Sequence, residues 1–317
     1  MNLDGFYSVI AMLFLLMAVG FGARKLGVID EFSTKRFSKL IICICQPCMI
    51  VNALIGYEFS PNGLKNGVTI MALGFVLHAF MAVVAFFSCK LYRFSQLDDQ
   101  KLTEFSIIFG NCGFLGFPLM EALYGSEGLF LAAFFNISFQ IFIWTWGLSI
   151  IARKRQDIKI SVKKIFLNYG TVPCVVGIGL YALRALVPVY PAAITTTISG
   201  LSGICTPISV LVTGALLATR TPKQIFASPS VYFMSAVKLL IIPTAVCLIA
   251  HLCGLDEKST VFLTVMSALP SASTVTMLAE LYDVKPGYAS QTVGTSSLLS
   301  ILTIPVMIQI MNLILKI

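Results

Sequence analysis

Charge is scarce in this chain. Lys, Arg, Asp and Glu together make up 11% of its 317 residues, against roughly a quarter in an ordinary soluble domain. A soluble fold of this length could bury a large core, but it would lack the polar side chains to cover it, so a soluble enzyme is excluded. Histidine occurs only twice, at His78 and His251, and neither sits in a catalytic motif. No HExxH, GxSxG, phosphate-binding loop or buried carboxylate pair is present, so enzyme chemistry is not expected. There is no long linker or low-complexity tract. Nine cysteines include C-x-C-x-x-C at 43–48. A metal site needs about four convergent soft ligands, and no second CxxC or paired histidine supplies the rest. These cysteines read as small packing residues, with no disulfide framework and no metal. Asn136 precedes Ile137 and Ser138 but lies within an apolar run, so glycosylation is not indicated.

Apolar residues fill the space that charge leaves: they are 57% of the chain, and its mean hydropathy is +0.91. A membrane-spanning helix needs about 20 mostly apolar residues. Ten segments qualify, at about 5–23, 38–57, 67–89, 102–124, 128–151, 166–187, 194–218, 229–252, 259–282 and 288–315. The first is no signal peptide, because Asp4 precedes it and Arg24–Lys25 follow it. The expected class is therefore an all-α membrane protein of ten transmembrane helices.

Cytoplasmic loops collect Lys and Arg. Seventeen of the 22 basic residues follow odd-numbered segments, among them Arg24, Lys90, Arg153, Lys159, Lys163, Lys164, Arg220, Lys223 and Lys285. Four fall on the other side: Lys65, Arg184, Lys258 and Lys316. Both termini are thus expected outside. The net charge of +8 reflects this orientation and contact with anionic lipid heads rather than nucleic acid.

A weak internal repeat accompanies the even charge alternation. ICQP at 44–47 recurs as ICTP at 204–207, an offset of 160. The same offset relates Lys238 to His78, Pro270 to Gly110 and Ser271 to Asn111, while LYG at 123–125 matches LYD at 281–283. Each half, 1–157 and 158–317, would hold five helices. Because five is odd, the second half would be inverted, giving a 5+5 inverted repeat within one membrane domain.

Inverted-repeat transporters place their sites near the midplane, where discontinuous helices meet. Two polar, breaker-rich stretches lie at that depth: GNCGFLGFP at 110–118 and SALPSAST at 267–274. Pro118 and Pro270 each remove a backbone donor, and glycine lowers the cost of leaving the helix. The fourth and ninth segments are therefore expected to be broken and to cross at these prolines. Short helices would then point positive dipole ends at mid-membrane, which favours an anion. The competing reading is a pair of packing kinks.

Residues 111–125 read N-x-x-x-x-G-x-P-L-x-x-x-x-Y-G, through Asn111, Gly116, Pro118, Leu119, Tyr124 and Gly125. With MSALPSASTVTMLAELY at 266–282 and GTSSLLSILTIP at 294–305, this resembles the auxin efflux carrier family along the whole chain. The resemblance implies ten helices, a crossover of the fourth and ninth at broken prolines, and transport of small organic anions. It also implies a scaffold made of the first, second, sixth and seventh helices, with a mobile unit of the third to fifth and eighth to tenth. Substrate contacts would come from Asn111, Cys112, Gly113, Pro118, Pro270, Ser271, Ser273 and Thr274. Plant members carry proline where this chain has Gly110, often a basic residue where it has Glu121, and a long loop that is here only about 15 residues. The short form implies a bacterial inner-membrane protein whose substrate is not auxin.

Several conspicuous residues keep two readings. Gln46 and Thr206, each before a proline, either line the site or satisfy a kink. Glu121 and Glu280 are gate or surface residues, or coupling carboxylates. His78 is a hydrogen-bonded interior residue or a titrating one. Lys238, the only strongly basic residue inside a span, either caps carbonyls exposed by the unwound segments or couples transport to protons. No cofactor is expected; proton or sodium coupling and a homodimer are open. The alternative to a transporter is a channel or a non-transporting membrane sensor using the same fold.

Overall fold

The computed structural model describes residues 3–155, 167–187, 190–219 and 228–316. Lys159, Lys163, Lys164, Arg220, Lys223 and the boundary between residues 157 and 158 lie outside the described residues. Among the described residues there is no β-strand; the secondary structure there is helical, with one isolated backbone bridge.

Eleven helical stretches follow in order among the described residues: α1 Leu3–Lys25, α2 Glu31–Ile55, α3 Pro61–Leu91, α4 Leu97–Ile108, α5 Cys112–Ala152, α6 Thr171–Leu183, α7 Ala192–Leu217, α8 Pro229–Leu252, α9 Glu257–Ala268, α10 Thr274–Leu281 and α11 Pro286–Leu315. Seven of them are long and apolar enough to cross a membrane: α1, α2, α3, α5, α7, α8 and α11. Large apolar side chains such as Leu15, Val76, Phe87 and Leu302 are more than half exposed, as lipid-facing residues are. This is a multi-pass membrane protein.

Local chemistry sets the helix ends. Asp30 accepts the N–H of Ser33 at 2.6 Å and starts α2; Asp256 accepts that of Ser259 at 2.9 Å and starts α9. Both satisfy an otherwise orphaned donor of the first turn. Among the described residues four wide π-helical turns occur in the long helices, at Ile41–Cys45, Cys112–Gly116, Ile143–Gly147 and Val237–Ile241. Three of them lie just before a proline: Pro47, Pro118 and Pro243. A proline ring clashes with the carbonyl four residues back, and the widened turn accommodates it. α5 carries a further non-helical residue, Gly125, at φ 59 and ψ −140, a conformation open to glycine and strained for other residues.

The described residues gather into two compact units. One contains residues of 1–72, 113–141 and 161–219. In it α1 and α7 pack backbone to backbone, since a Cβ on Gly20 would overlap the Leu211 carbonyl and one on Gly214 would overlap that of Met17. Such small-residue contacts are the usual adhesive of membrane helices. Tyr181 is fully buried against Phe130, ring centroids 4.7 Å apart, and Arg184 donates to Ile55 O at 2.7 Å, closing the C-terminal end of α2. The second unit contains residues of 73–112, 142–160 and 220–317, and it holds the backbone bridge.

Candidate functional site: a backbone crossover in the second unit

α4 ends at Ile108 and α9 at Ala268. The next residues are extended: Phe109 at φ −97, ψ 109, and Leu269 at φ −63, ψ 143. Leu269 precedes Pro270, which disfavours the helical region for it. The two extended pieces pair. Gly110 and Ser271 face each other as an antiparallel bridge, with Asn111 N–H donating to Pro270 O at 2.8 Å and Ala272 N–H donating to Phe109 O at 2.9 Å. This is the close, non-hydrogen-bonded type of pair. A Cβ on Gly110 would stand 3.3 Å from Leu269 Cβ and 3.4 Å from Lys238 Nζ, so the bare glycine lets the strands approach. The interruption of the first chain thus lies at Phe109–Asn111, and Pro118 stands beyond it, in the first turn after the π-turn at Cys112–Gly116.

Buried backbone groups freed by the break find other partners, as they must away from water. Ser106 O, whose helical donor would be the N–H of Gly110, accepts Ser271 Oγ at 3.1 Å. Ser271 N–H donates to Ser296 Oγ on α11 at 3.1 Å. Met266 O faces the missing N–H of Pro270 and lies 3.5 Å from the Gly110 Cβ position.

Of the residues expected at the site, Asn111, Cys112, Pro270 and Ser271 converge here and are buried. Ser273 and Thr274 follow at the start of α10 and are half-buried. Lys238 comes from the π-turn of α8 and is 0% exposed, its Nζ within hydrogen-bond range of Met81 Sδ at 3.7 Å. π-turns inside membrane helices often mark functional positions. His78 is also buried; its Nδ1 pairs with Gly74 O at 2.7 Å and its ring stacks on Phe142 at 5.3 Å.

Gly113, Pro118, Gln46 and Thr206 belong to the first unit. There the Gln46 amide covers Gly113, with Nε2 3.2 Å from its Cβ position. The two IC-x-P stretches meet, since the helix that starts at Cys205 packs against the π-turn Ile41–Cys45. Glu121 and Glu280 are exposed. No group of three or more metal-binding side chains occurs among the described residues.

A polar seam went unrecognised in the sequence. Asp99, Thr103 and Ser106 on one face of α4 pair with Lys285, Tyr288 and Thr292 at the start of α11, at 2.7, 2.8 and 2.9 Å. Ser271 with Ser296 is the next rung. The seam runs from an ion pair at the helix ends to the crossover. Its signal was there to read: hydroxyls three or four apart share a helix face. Beside Thr103 of the seam, the buried carboxylate of Glu104 takes a bidentate pair from Arg153 at 2.9 and 3.0 Å.

Four whole-chain similarities bear on what such a crossover serves. The model of the membrane transport protein family matches residues 6–308. An uncharacterized transporter of Methanothermobacter thermautotrophicus is 24% identical over 295 residues, 92% of this chain and 93% of the relative. Another, of Methanocaldococcus jannaschii, is 21% identical over 300 residues, 94% and 96% of the two chains. The uncharacterized transporter YfdV of Escherichia coli is 21% identical over 310 residues, 95% and 96% of the two chains. The chain therefore belongs to the membrane transport protein family, the family of the auxin efflux carriers.

Proposed function

We propose that this protein is a secondary transporter of small organic anions, chiefly carboxylates, working by alternating access at the crossover. The observation that carries the reading is the bridge between Gly110 and Ser271, where two helices stop inside the membrane domain and pair through backbone. Interrupted backbone is stable at that depth only where it is buried in protein or lines a cavity, and in transporters such breaks hold the substrate.

Ten crossings arranged as a 5+5 inverted repeat fit the helices. Gly125 divides the 41-residue run of α5: residues 126–152 are about 40 Å long at 1.5 Å per residue and make one pass, while residues 112–124, about 20 Å, complete another together with α4. α6 and the α9–α10 pair supply the remaining two. A scaffold of α1, α2, α6 and α7 is supported by the first unit, which contains these helices together with residues 61–72 and 113–141. Both termini face outside, in a bacterial inner membrane, and Gln46 and Thr206 contribute kinked, polar positions that serve the scaffold.

Proteoliposomes test the reading. Labelled acetate, benzoate and succinate are offered separately, under a proton gradient, a sodium gradient and neither. Accumulation of one of them above its outside concentration is the expected result. Equilibration without accumulation would make the protein a channel, and binding without flux would make it a sensor; either result overturns the proposal.

A further inference from the structure

Lys238 brings an amine that is charged when protonated into the interior of the second unit, with almost nothing there to receive it. Its side chain is 0% exposed. Of its three donors, one meets a thioether, Met81 Sδ at 3.7 Å, a weak acceptor. Among the described residues no carboxylate pairs with it and no carbonyl accepts from it. The titratable side chains nearest it in the unit are the Cys112 thiol and the His78 imidazole, both buried, and neither is an anion at neutral pH. A buried ammonium without a partner is strongly unfavourable, so a membrane protein that keeps one needs an anion to meet it.

Position says which anion. The ammonium projects from the widened turn Val237–Ile241 to the bridge itself, 3.4 Å from where a Cβ of Gly110 would stand. Gly110 has no side chain to shield it. Asn111 and Pro270 lie on the two strands beside it. We infer that Lys238 Nζ is the counter-charge for the head group of the transported anion. This inference rests on the crossover's being the anion site. A single fixed cation suits one carboxylate per binding event and repels sodium, so binding should need no metal cation. The ammonium is sealed in the present conformation, so the anion reaches it when the crossover opens.

Melting curves of the purified full chain test this, with acetate, benzoate and succinate as potassium and as sodium salts and the chlorides as controls. The wild type should be stabilised by at least one carboxylate, equally with either cation. For that salt the half-saturating concentration should rise about tenfold or more in Lys238→Met, as for loss of a hydrogen bond to a charged group. Without ligand, Lys238→Met should melt no lower than the wild type, because an unpaired buried charge has been removed. Equal half-saturation in the two proteins would overturn the inference and leave the crossover reading standing. A ligand-free Lys238→Met that melts several degrees lower would make the lysine a structural cap and overturn it as well. Stabilisation of the wild type by none of the carboxylates would defeat the organic-anion reading, and this inference with it. Should Lys238→Met not fold, Gly110→Ala decides: its methyl group lies at the ammonium, the half-saturating concentration should rise severalfold, and no change would count against the inference.

Discussion

Replacing Ser271 by alanine removes one oxygen from the crossover and little else. The side chain is completely buried, and its hydroxyl donates to Ser106 O at 3.1 Å. That carbonyl has already lost its helical donor at Gly110. Alanine keeps the Cβ, so the cavity left is that of a single atom, and the backbone N–H can still reach Ser296 Oγ. What remains is a buried carbonyl without a donor, a penalty of about 1–3 kcal/mol. Domains of 150–250 residues lose roughly 2–4 °C of melting temperature per kcal/mol, and longer chains stand at or below the lower end. The expected fall is therefore about 2–6 °C. Release of buried thiols reports unfolding, since Cys45, Cys89, Cys112, Cys174, Cys205 and Cys247 are all buried and react with a fluorogenic maleimide only when exposed. Ser273→Ala, two residues on and half-buried, is the control and should shift melting by less than about 1 °C. A Ser271→Ala protein that melts within about 1 °C of the wild type, or a control that falls as far, would refute the hydrogen-bond account of the break.

Three further outcomes are expected. Glu104→Gln leaves the Arg153 guanidinium without its bidentate acceptor; because that side chain is 35% exposed, the loss should be nearer 1–3 kcal/mol than the roughly 3–5 of a fully buried pair, and adding Arg153→Gln should recover part of it in melting experiments. Gly20→Val drives a branched side chain into the Leu211 backbone, where nothing flexible can yield, so the yield of monodisperse protein should collapse, whereas Gly22→Val, facing open space, should be tolerated. Single cysteines at Lys65 and Lys90, the exposed ends of α3, in a cysteine-free background, should label from opposite sides of intact cells, Lys65 from outside; equal labelling would upset the orientation drawn from basic residues.

Much of this architecture is legible without coordinates, for physical reasons. Apolar run length alone gives an all-α, multi-pass chain, because the bilayer leaves a helix few alternatives. Breaker-rich stretches at 110–118 and 267–274 stand out, because glycine, proline and polar side chains are expensive there. The position of the interruption was less legible. Pro118 draws the eye, yet the chain leaves the helix at Phe109–Asn111, where the partner strand at Leu269–Ala272 supplies the hydrogen bonds. That pairing joins residues about 160 apart in sequence and leaves no local mark. The wide turns before Pro47, Pro118 and Pro243 are likewise a response to proline whose form periodicity cannot specify. The hydroxyl seam between α4 and α11 shows its spacing in each helix separately, but only the tertiary register makes Thr103 meet Tyr288 and Ser106 meet Thr292. Lys238 announces itself as an oddity in an apolar span. Its place against Gly110 follows from how α8 packs, not from its neighbours in the chain.

The most direct test of the crossover as the anion site is counterflow by Asn111→Ala in proteoliposomes preloaded with whichever of acetate, benzoate or succinate the wild type exchanges. Asn111 sits on the bridge, 5% exposed, with its N–H bound to Pro270 O, and alanine preserves that backbone bond while deleting the side-chain amide. The apparent affinity should fall about ten- to a hundredfold, as for loss of a hydrogen bond to a charged group, while the protein still folds and melts in a single transition. Undiminished affinity in a folded Asn111→Ala protein would place the anion elsewhere and contradict the account.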